Sequence, residues 1–292
     1  MKISGHLFLT FLGNFRLAFA ECSRDTLSDG VDAYLYAQSE GEIEELPVIA
    51  NLNYTENRVR TNLDNSIVTN DLTLDWNNTL YDIATCTTWT ELVSSDPKKP
   101  YVLGMRLQFD EDGATITKMD SMVTTTGDWL FNATATLQYF KRESWGIIPE
   151  NKRDSRATLK AAADAYADMF SNVSSIPPFG TPCCRTEGGG STCASANSTN
   201  LNTCVLGIPD ASKNPVYLVN REYVIDQAYG TVQVLMDFGR MADSHQFMLR
   251  EGKIRYVHTM SACAKGKNCT TSTVRRMPVD GMARRSVDLR SV

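Results

Sequence analysis

The sequence predicts an α+β protein built from two tandem units, each a helix packed on a curved antiparallel sheet and stapled by disulfides. Three observations lead there. The same order of signals occurs twice: an amphipathic helical stretch, a loop-rich middle, then β-rich runs that end in a hairpin and a long last strand. The two terminal hairpins align, with runs 101–109 and 116–124 matching 245–249 and 254–261, so that Asp120 falls against His258 and Met122 against Met260. Once the first twenty residues are set aside, roughly 270 remain, long for one domain and natural for two of about 120 to 130.

Residues 1–20 read as a secretory signal peptide, with Lys2, an apolar stretch over 7–15 and the small-x-small site Ala18-Phe19-Ala20. The stretch is shorter than a membrane span of about 20 residues and is broken by Asn14 and Arg16. No later segment is apolar enough to cross a bilayer, so the expected location is outside the cell or in the lumen of the secretory pathway. The first unit, residues 21–144, opens with a helix over 25–38, where Leu27, Val31, Tyr34 and Leu35 recur at helical spacing behind Ser23 or Asp25 as caps. The segment around Trp129 has strand character. The second unit, residues 145–264, starts at a connector over 145–154 broken by Pro149. A helix over 155–170 follows, with Leu159, Ala162, Ala163, Tyr166 and Phe170 on one face. Residues 176–215 are a Pro-, Gly- and Cys-rich excursion. Residues 265–292, with Arg275-Arg276 and Arg284-Arg285, read as a basic disordered tail open to trimming at a dibasic pair.

Eight cysteines are an even number, and in an oxidising compartment disulfides are the expected fate, with connectivity left open. No paired CxxC or His spacing supports zinc, so no metal or other cofactor is expected. Acceptor triplets at Asn53, Asn77, Asn132, Asn172, Asn197 and Asn268 agree with the signal peptide and predict N-glycosylation. A net charge of -5 and a pI near 5.3 argue against nucleic acid as a partner. A small-molecule substrate is the expected partner, and a homodimer is compatible with the chain.

The order of helix and then a sheet closed by a Gly-Lys-Ile-x strand resembles the cone-shaped ketosteroid-isomerase-like fold of SnoaL-type cyclases, scytalone dehydratase and limonene epoxide hydrolase. More specifically, GDWLFNATATLQYF (127–140), ESWGIIPENKRDSR (143–156), PFGTPCCRTEGGG (178–190) and GKIRYVHTMSAC (252–263) resemble a secreted fungal family of largely uncharacterised proteins. That resemblance implies two cone-shaped units. By analogy with maleidride dimerising cyclases it also implies cofactor-free cyclase, isomerase or dehydratase chemistry on a polyketide-derived molecule in fungal secondary metabolism. The rival reading is a noncatalytic secreted protein that binds a small molecule or a host component.

His245 and His258 are the histidines left after signal removal. If Glu251-Gly252 is a two-residue turn, Arg250 pairs with Lys253, and equal steps outward set His245 directly opposite His258 on one apolar face. Both imidazoles would then serve as general acid and base, titrating near or below about 6.5, with Asp243 orienting His245. Arg185 and Glu187, beside the flexible Gly188–Gly190 run, and Tyr256 are the expected substrate contacts. In the first unit Asp120 and Met105 stand where the histidines would, so that unit is expected to be structural or to cover the second. No GxSxG elbow and no Gly-Lys-Ser/Thr phosphate loop is present.

Overall fold

The computed structural model describes residues 22–193, 201–263 and 269. The signal segment, Asn197, Asn268 and all of the basic tail except Cys269 lie outside the described residues.

Two helices begin with the same local chemistry. α1 (Arg24–Glu40) starts behind Ser23, whose side chain accepts from Thr26 N–H, and α3 (Arg156–Asp168) starts behind Ser155, which accepts from Thr158 N–H. Ser-Arg-x-Thr-Leu therefore occurs at both helix starts. α1 stops at Gly41, whose positive φ of 74° suits a left-handed cap.

Each helix is followed by a six-stranded sheet. The first contains β1 (Val48–Glu56), β2 (Val59–Arg60), β3 (Trp76–Asp82), β4 (Thr87–Ser94), β5 (Tyr101–Phe109) and β6 (Ile116–Thr124). The second contains β7 (Phe179–Glu187), β8 (Gly190–Ser191), β9 (Leu218–Asp226), β10 (Thr231–Phe238), β11 (Met241–Arg250) and β12 (Lys253–Ala262). The orders β2-β1-β6-β5-β4-β3 and β8-β7-β12-β11-β10-β9 are the same topology. The sheets are mixed, not antiparallel as the sequence suggests, because β1 runs parallel to β6 and β7 parallel to β12. Each long crossover brings the chain back beside its first strand in the same direction.

A second difference lies between the sheets. The segment around Trp129 is not a strand. Asn132 caps α2 (Ala133–Phe140) by accepting from Ala135 N–H, so capping overrides the aromatic strand propensity there.

Strand alternation gives every sheet two faces. One is covered by the unit's own helix: Leu27, Val31 and Tyr34 pack with Leu103, Met105 and Leu107 in the first unit, and Leu159, Ala163 and Tyr166 with Val234, Phe247 and Val257 in the second. The opposite faces pack on each other through Leu80, Trp89, Val102 and Met122 from one sheet and Val224, Ala242 and Met260 from the other. Gly104 is required in that layer, since a Cβ there would lie 2.1 Å from the Trp89 ring. Leu80 and Val224, Val102 and Ala242, and Met122 and Met260 hold matching register positions.

Reciprocal ion pairs lock the same arrangement. Arg156 of α3 donates two hydrogen bonds, 2.5 and 2.6 Å, to buried Asp82 at the end of β3. Arg24 of α1 donates at 2.9 Å to buried Asp226 at the end of β9. Ile225 N–H reaches Asp82 and Tyr81 N–H reaches Asp226, each at 3.0 Å. The two units therefore meet as an internal pseudo-dimer, through the sheet faces their helices leave uncovered.

Disulfides join Cys183 to Cys204, Cys184 to Cys193 and Cys263 to Cys269. Cys22 and Cys86 are free thiols, contrary to the expectation of full pairing, although they share a hydrogen bond. Among the described residues no helix is long and apolar enough to cross a membrane.

Candidate functional site

The expected turn is present: Arg250 pairs with Lys253, and Glu251 and Gly252 have positive φ of 56° and 68°. The expected histidine pair is not. Leu249 pairs with Ile254 but Met248 with Tyr256, so Arg255 is an extra, bulged residue and everything beyond it slips by one. His245 pairs with Thr259 and His258 with Gln246. A one-residue slip reverses the face, so the two imidazoles lie on opposite sides of the sheet. The first sheet has the matching bulge, with Gln108 against Lys118 and Phe109 against Ile116.

His245 faces the helix. Its row across the sheet is Glu187, Thr259, His245, Val234, Tyr223, and the matching row of the first unit is Glu56, Ser121, Met105, Thr90, Thr79. Arg185, Glu187, Asp243 and His245 thus share the helix-covered face of the second unit with Tyr166. Arg185 donates to Tyr166 Oη at 3.4 Å and to Leu206 C=O at 2.5 Å, and Trp129 Nε1–H donates to Glu187 at 2.6 Å. Burial disfavours the charged guanidinium, but the Tyr166 hydroxyl and the Glu187 carboxylate outweigh it and raise the Arg185 pKa. Burial likewise raises the Tyr166 pKa, with Arg185 opposing. Asp243 Oδ2 lies 3.0 Å from His245 Nδ1, the contact expected of an orienting carboxylate, although neither atom makes an aligned hydrogen bond among the described residues. Its other oxygen accepts from Ser261 Oγ at 2.6 Å.

His258 faces the other sheet, where it meets residues the sequence did not single out. Its Nδ1 is 2.7 Å from Glu91 Oε2 on β4, and its Nε2 is 2.7 Å from Glu143 Oε2 just beyond α2. Phe140 stacks on the ring at 3.8 Å between centroids, and Trp145 approaches it edge-on at 5.4 Å. The imidazole is 1% exposed. Burial alone would lower its pKa, yet the two carboxylates, each charged and hydrogen-bonded to it, reverse the sign and raise it from 6.5 to about 10. The ring is therefore an imidazolium at neutral pH, not the near-neutral group expected from an apolar setting. Gln246 Nε2–H also donates to Glu91 Oε2, at 3.2 Å, and Trp145 Nε1–H to Glu143 Oε2, at 2.9 Å. The other Glu143 oxygen has no hydrogen-bond partner among the described residues.

Glu143 also lines a cavity of about 600 Å³, within the usual size for a small-molecule site. Its floor is the part of the second sheet that the first leaves uncovered: Cys184 and Thr186 on β7, Tyr256 on β12, Met248 and Arg250 on β11. The segment Tyr139 to Ser144 forms its opposite wall. Tyr256, expected as a substrate contact, is thus in the cavity. Arg185 and Glu187, expected in the same role, are on the far side of the sheet. Burial and the Glu143 charge raise the Tyr256 pKa, keeping its hydroxyl a donor. Asp128, Cys263 and Cys269 also cluster, but both sulfurs are in a disulfide and offer no thiolate to a metal.

Among the acceptor asparagines, Asn77, Asn132 and Asn172 are exposed and Asn53 is half-buried on β1.

Residues 152–261 match a sequence family described as a domain of unknown function (DUF8021). No functionally curated protein matches the chain. Among solved structures, an NTF2-like protein of unknown function from Cytophaga hutchinsonii is 15% identical, with 39% of this chain and 94% of that one covered and a TM-score of 0.25.

Proposed function

We propose that the protein is a cofactor-free enzyme of the secretory pathway that binds a small molecule in the cavity beside Tyr256 and moves a proton with Glu143. One observation carries this reading: a single carboxylate, Glu143, is both held by a buried imidazolium and part of a cavity wall. The free Glu143 oxygen takes a proton from a substrate carbon next to a carbonyl, and the electron pair moves onto the carbonyl oxygen, where Tyr256 donates a hydrogen bond. Return of the proton elsewhere completes an isomerisation or cyclisation; departure of a neighbouring hydroxyl as water completes a dehydration. His258 is a positioning residue, since it touches Glu143 and not the substrate.

The secretory route is supported by the signal-like first twenty residues, the exposed acceptors Asn77, Asn132 and Asn172, and the disulfides. Metabolite profiling of a deletion strain tests the reading without a guess at substrate. A precursor that accumulates, and is cleared by the wild-type gene but not by a secreted, folded Glu143→Gln variant, is the expected result. An unchanged profile, or full rescue by the variant, would leave the cavity to a noncatalytic carrier.

A further inference from the structure

The cavity carries an excess of positive charge that proton transfer does not explain. Arg142, Arg250 and Arg255 all line it, and they come from three different places in the fold: the turn just beyond α2, the end of β11, and the bulge of β12. Arg24, Arg58, Arg106, Arg156, Arg185 and Arg221 each lie within 4 Å of a carboxylate. None of the three cavity arginines has such a partner among the described residues.

Their donors are only partly used. Arg255 donates to the Thr181 and Pro182 carbonyls, at 2.7 and 3.5 Å, through Nη1 alone. Arg250 donates to the carbonyls of Tyr229, Leu249 and Gly146, so its donors are engaged while its charge is not balanced. Burial pulls the Arg250 pKa down, as expected of a cation without an ion-pair partner, with Asp154 and Tyr256 acting in the opposite direction. The Arg142 guanidinium makes no hydrogen bond among the described residues and sits 5.8 Å from the centre of the Tyr139 ring. Glu143 is the one acid in the lining among the described residues, and His258, shared with Glu91, offsets part of its charge, so the three arginines outnumber it. Tyr139, Pro182, Met248 and Tyr256 give the walls apolar and aromatic surface, with the hydroxyls of Ser144, Thr186 and Ser191 beside it.

Resting on the reading of this cavity as the substrate site, we infer that its ligand is an organic anion, a carboxylate on an apolar or aromatic body. Arg142 and Arg255 hold the carboxylate, and the body lies against Tyr139, Tyr256 and Met248. Guanidinium and carboxylate pair in a planar fork, and a partly enclosed setting strengthens the pair relative to water. The bulge acquires a purpose in this arrangement, since the extra residue it inserts is one of the cations. At the matching position the first sheet has Thr117.

The test is calorimetric binding to the full secreted chain, with phthalate as the anionic aromatic probe and phthalamide as its neutral isostere. Phthalate is expected to saturate one site, and phthalamide to bind at least about tenfold more weakly. Arg142→Gln, at an exposed residue whose side chain has no hydrogen bond among the described residues, keeps the fold and is expected to weaken phthalate about tenfold, and adding Arg255→Gln to weaken it further. Glu143→Gln removes a like charge and is expected to leave phthalate affinity equal or tighter. Equal binding of the two probes, no saturable phthalate site, or unchanged affinity in the double arginine variant would overturn the inference. If phthalate behaves as expected while Glu143→Gln restores the deletion strain, the anion site stands and the proton-transfer role of Glu143 falls.

Discussion

Replacing His258 by Gln tests whether the buried ring is a cation. The folded-state pKa of about 10 lies above the ordinary 6.5, so the native protein binds more protons than the unfolded chain between those values. The stabilisation is fully present below about pH 6.5 and is lost as pH rises through 10, at up to about 1.4 kcal/mol per pH unit, with a ceiling of roughly 5 kcal/mol. His258→Gln leaves Glu91 and Glu143 facing one another without a cation and is expected to cost about 3–5 kcal/mol at pH 6. That gap should shrink by about 2–3 kcal/mol between pH 7 and 9, because only the wild type has a proton to lose there. Urea unfolding of both proteins from pH 6 to 10 reads the gap directly. Other alkaline titrations, such as that of Cys22, are common to both and cancel in the difference. A gap that stays constant over this range would show that His258 is neutral and would refute the reasoning. The Cε1 proton of His258 offers a second reading by NMR, since it should not titrate below about pH 8.

The reciprocal ion pairs should be unequal. Arg156→Ala leaves buried Asp82 with the Ile225 N–H and is expected to cost about 3–4 kcal/mol, whereas Asp226 keeps the N–H groups of Tyr81, Ala228 and Tyr229 after Arg24→Ala, for about 1–2 kcal/mol. Equal losses in thermal or urea denaturation would count against this accounting. Cys22 and Cys86 are in contact, and burial together with Cys86 pushes the Cys22 thiol up to about 12, so it exchanges slowly. Prolonged incubation with glutathione disulfide is expected to join them, releasing two glutathione thiols and adding about 4 kcal/mol of stability; free thiols persisting after the incubation would contradict this. Thr134→Ala removes the Asn132 acceptor triplet while keeping the Asn132 cap, so a loss of glycan mass without loss of stability is the expected outcome by mass spectrometry and thermal melting.

The local elements were legible in the amino-acid order. Helical spacing of Leu27, Val31 and Tyr34, and of Leu159, Ala163 and Tyr166, locates both helices, and the runs 101–109 and 116–124 are strands with those bounds. The alignment of Ile116 with Ile254 also holds in the register, bulge included. The repeated Ser-Arg-x-Thr-Leu was open to inspection and is the clearest trace of duplication, because each copy caps a helix and aims an arginine at the other unit. Glu91 left a fainter sign, as the lone acid in the buried strand β4.

What only the tertiary structure decided was which side of the sheet each functional group faces and what it meets there. Side chains alternate with a period of two, so a single bulged residue at Arg255 separates His245 from His258, and no pattern of residue types announces a bulge. Parallel pairing of the first strand of each unit with the last depends on a crossover that hydrophobic alternation does not record. The charge of His258 depends on carboxylates 167 and 115 residues away, brought within 2.7 Å by the packing of one sheet on the other. Sequence determines a side chain's chemistry and local geometry; the electrostatic field that tunes it is a sum over neighbours that only the folded chain selects.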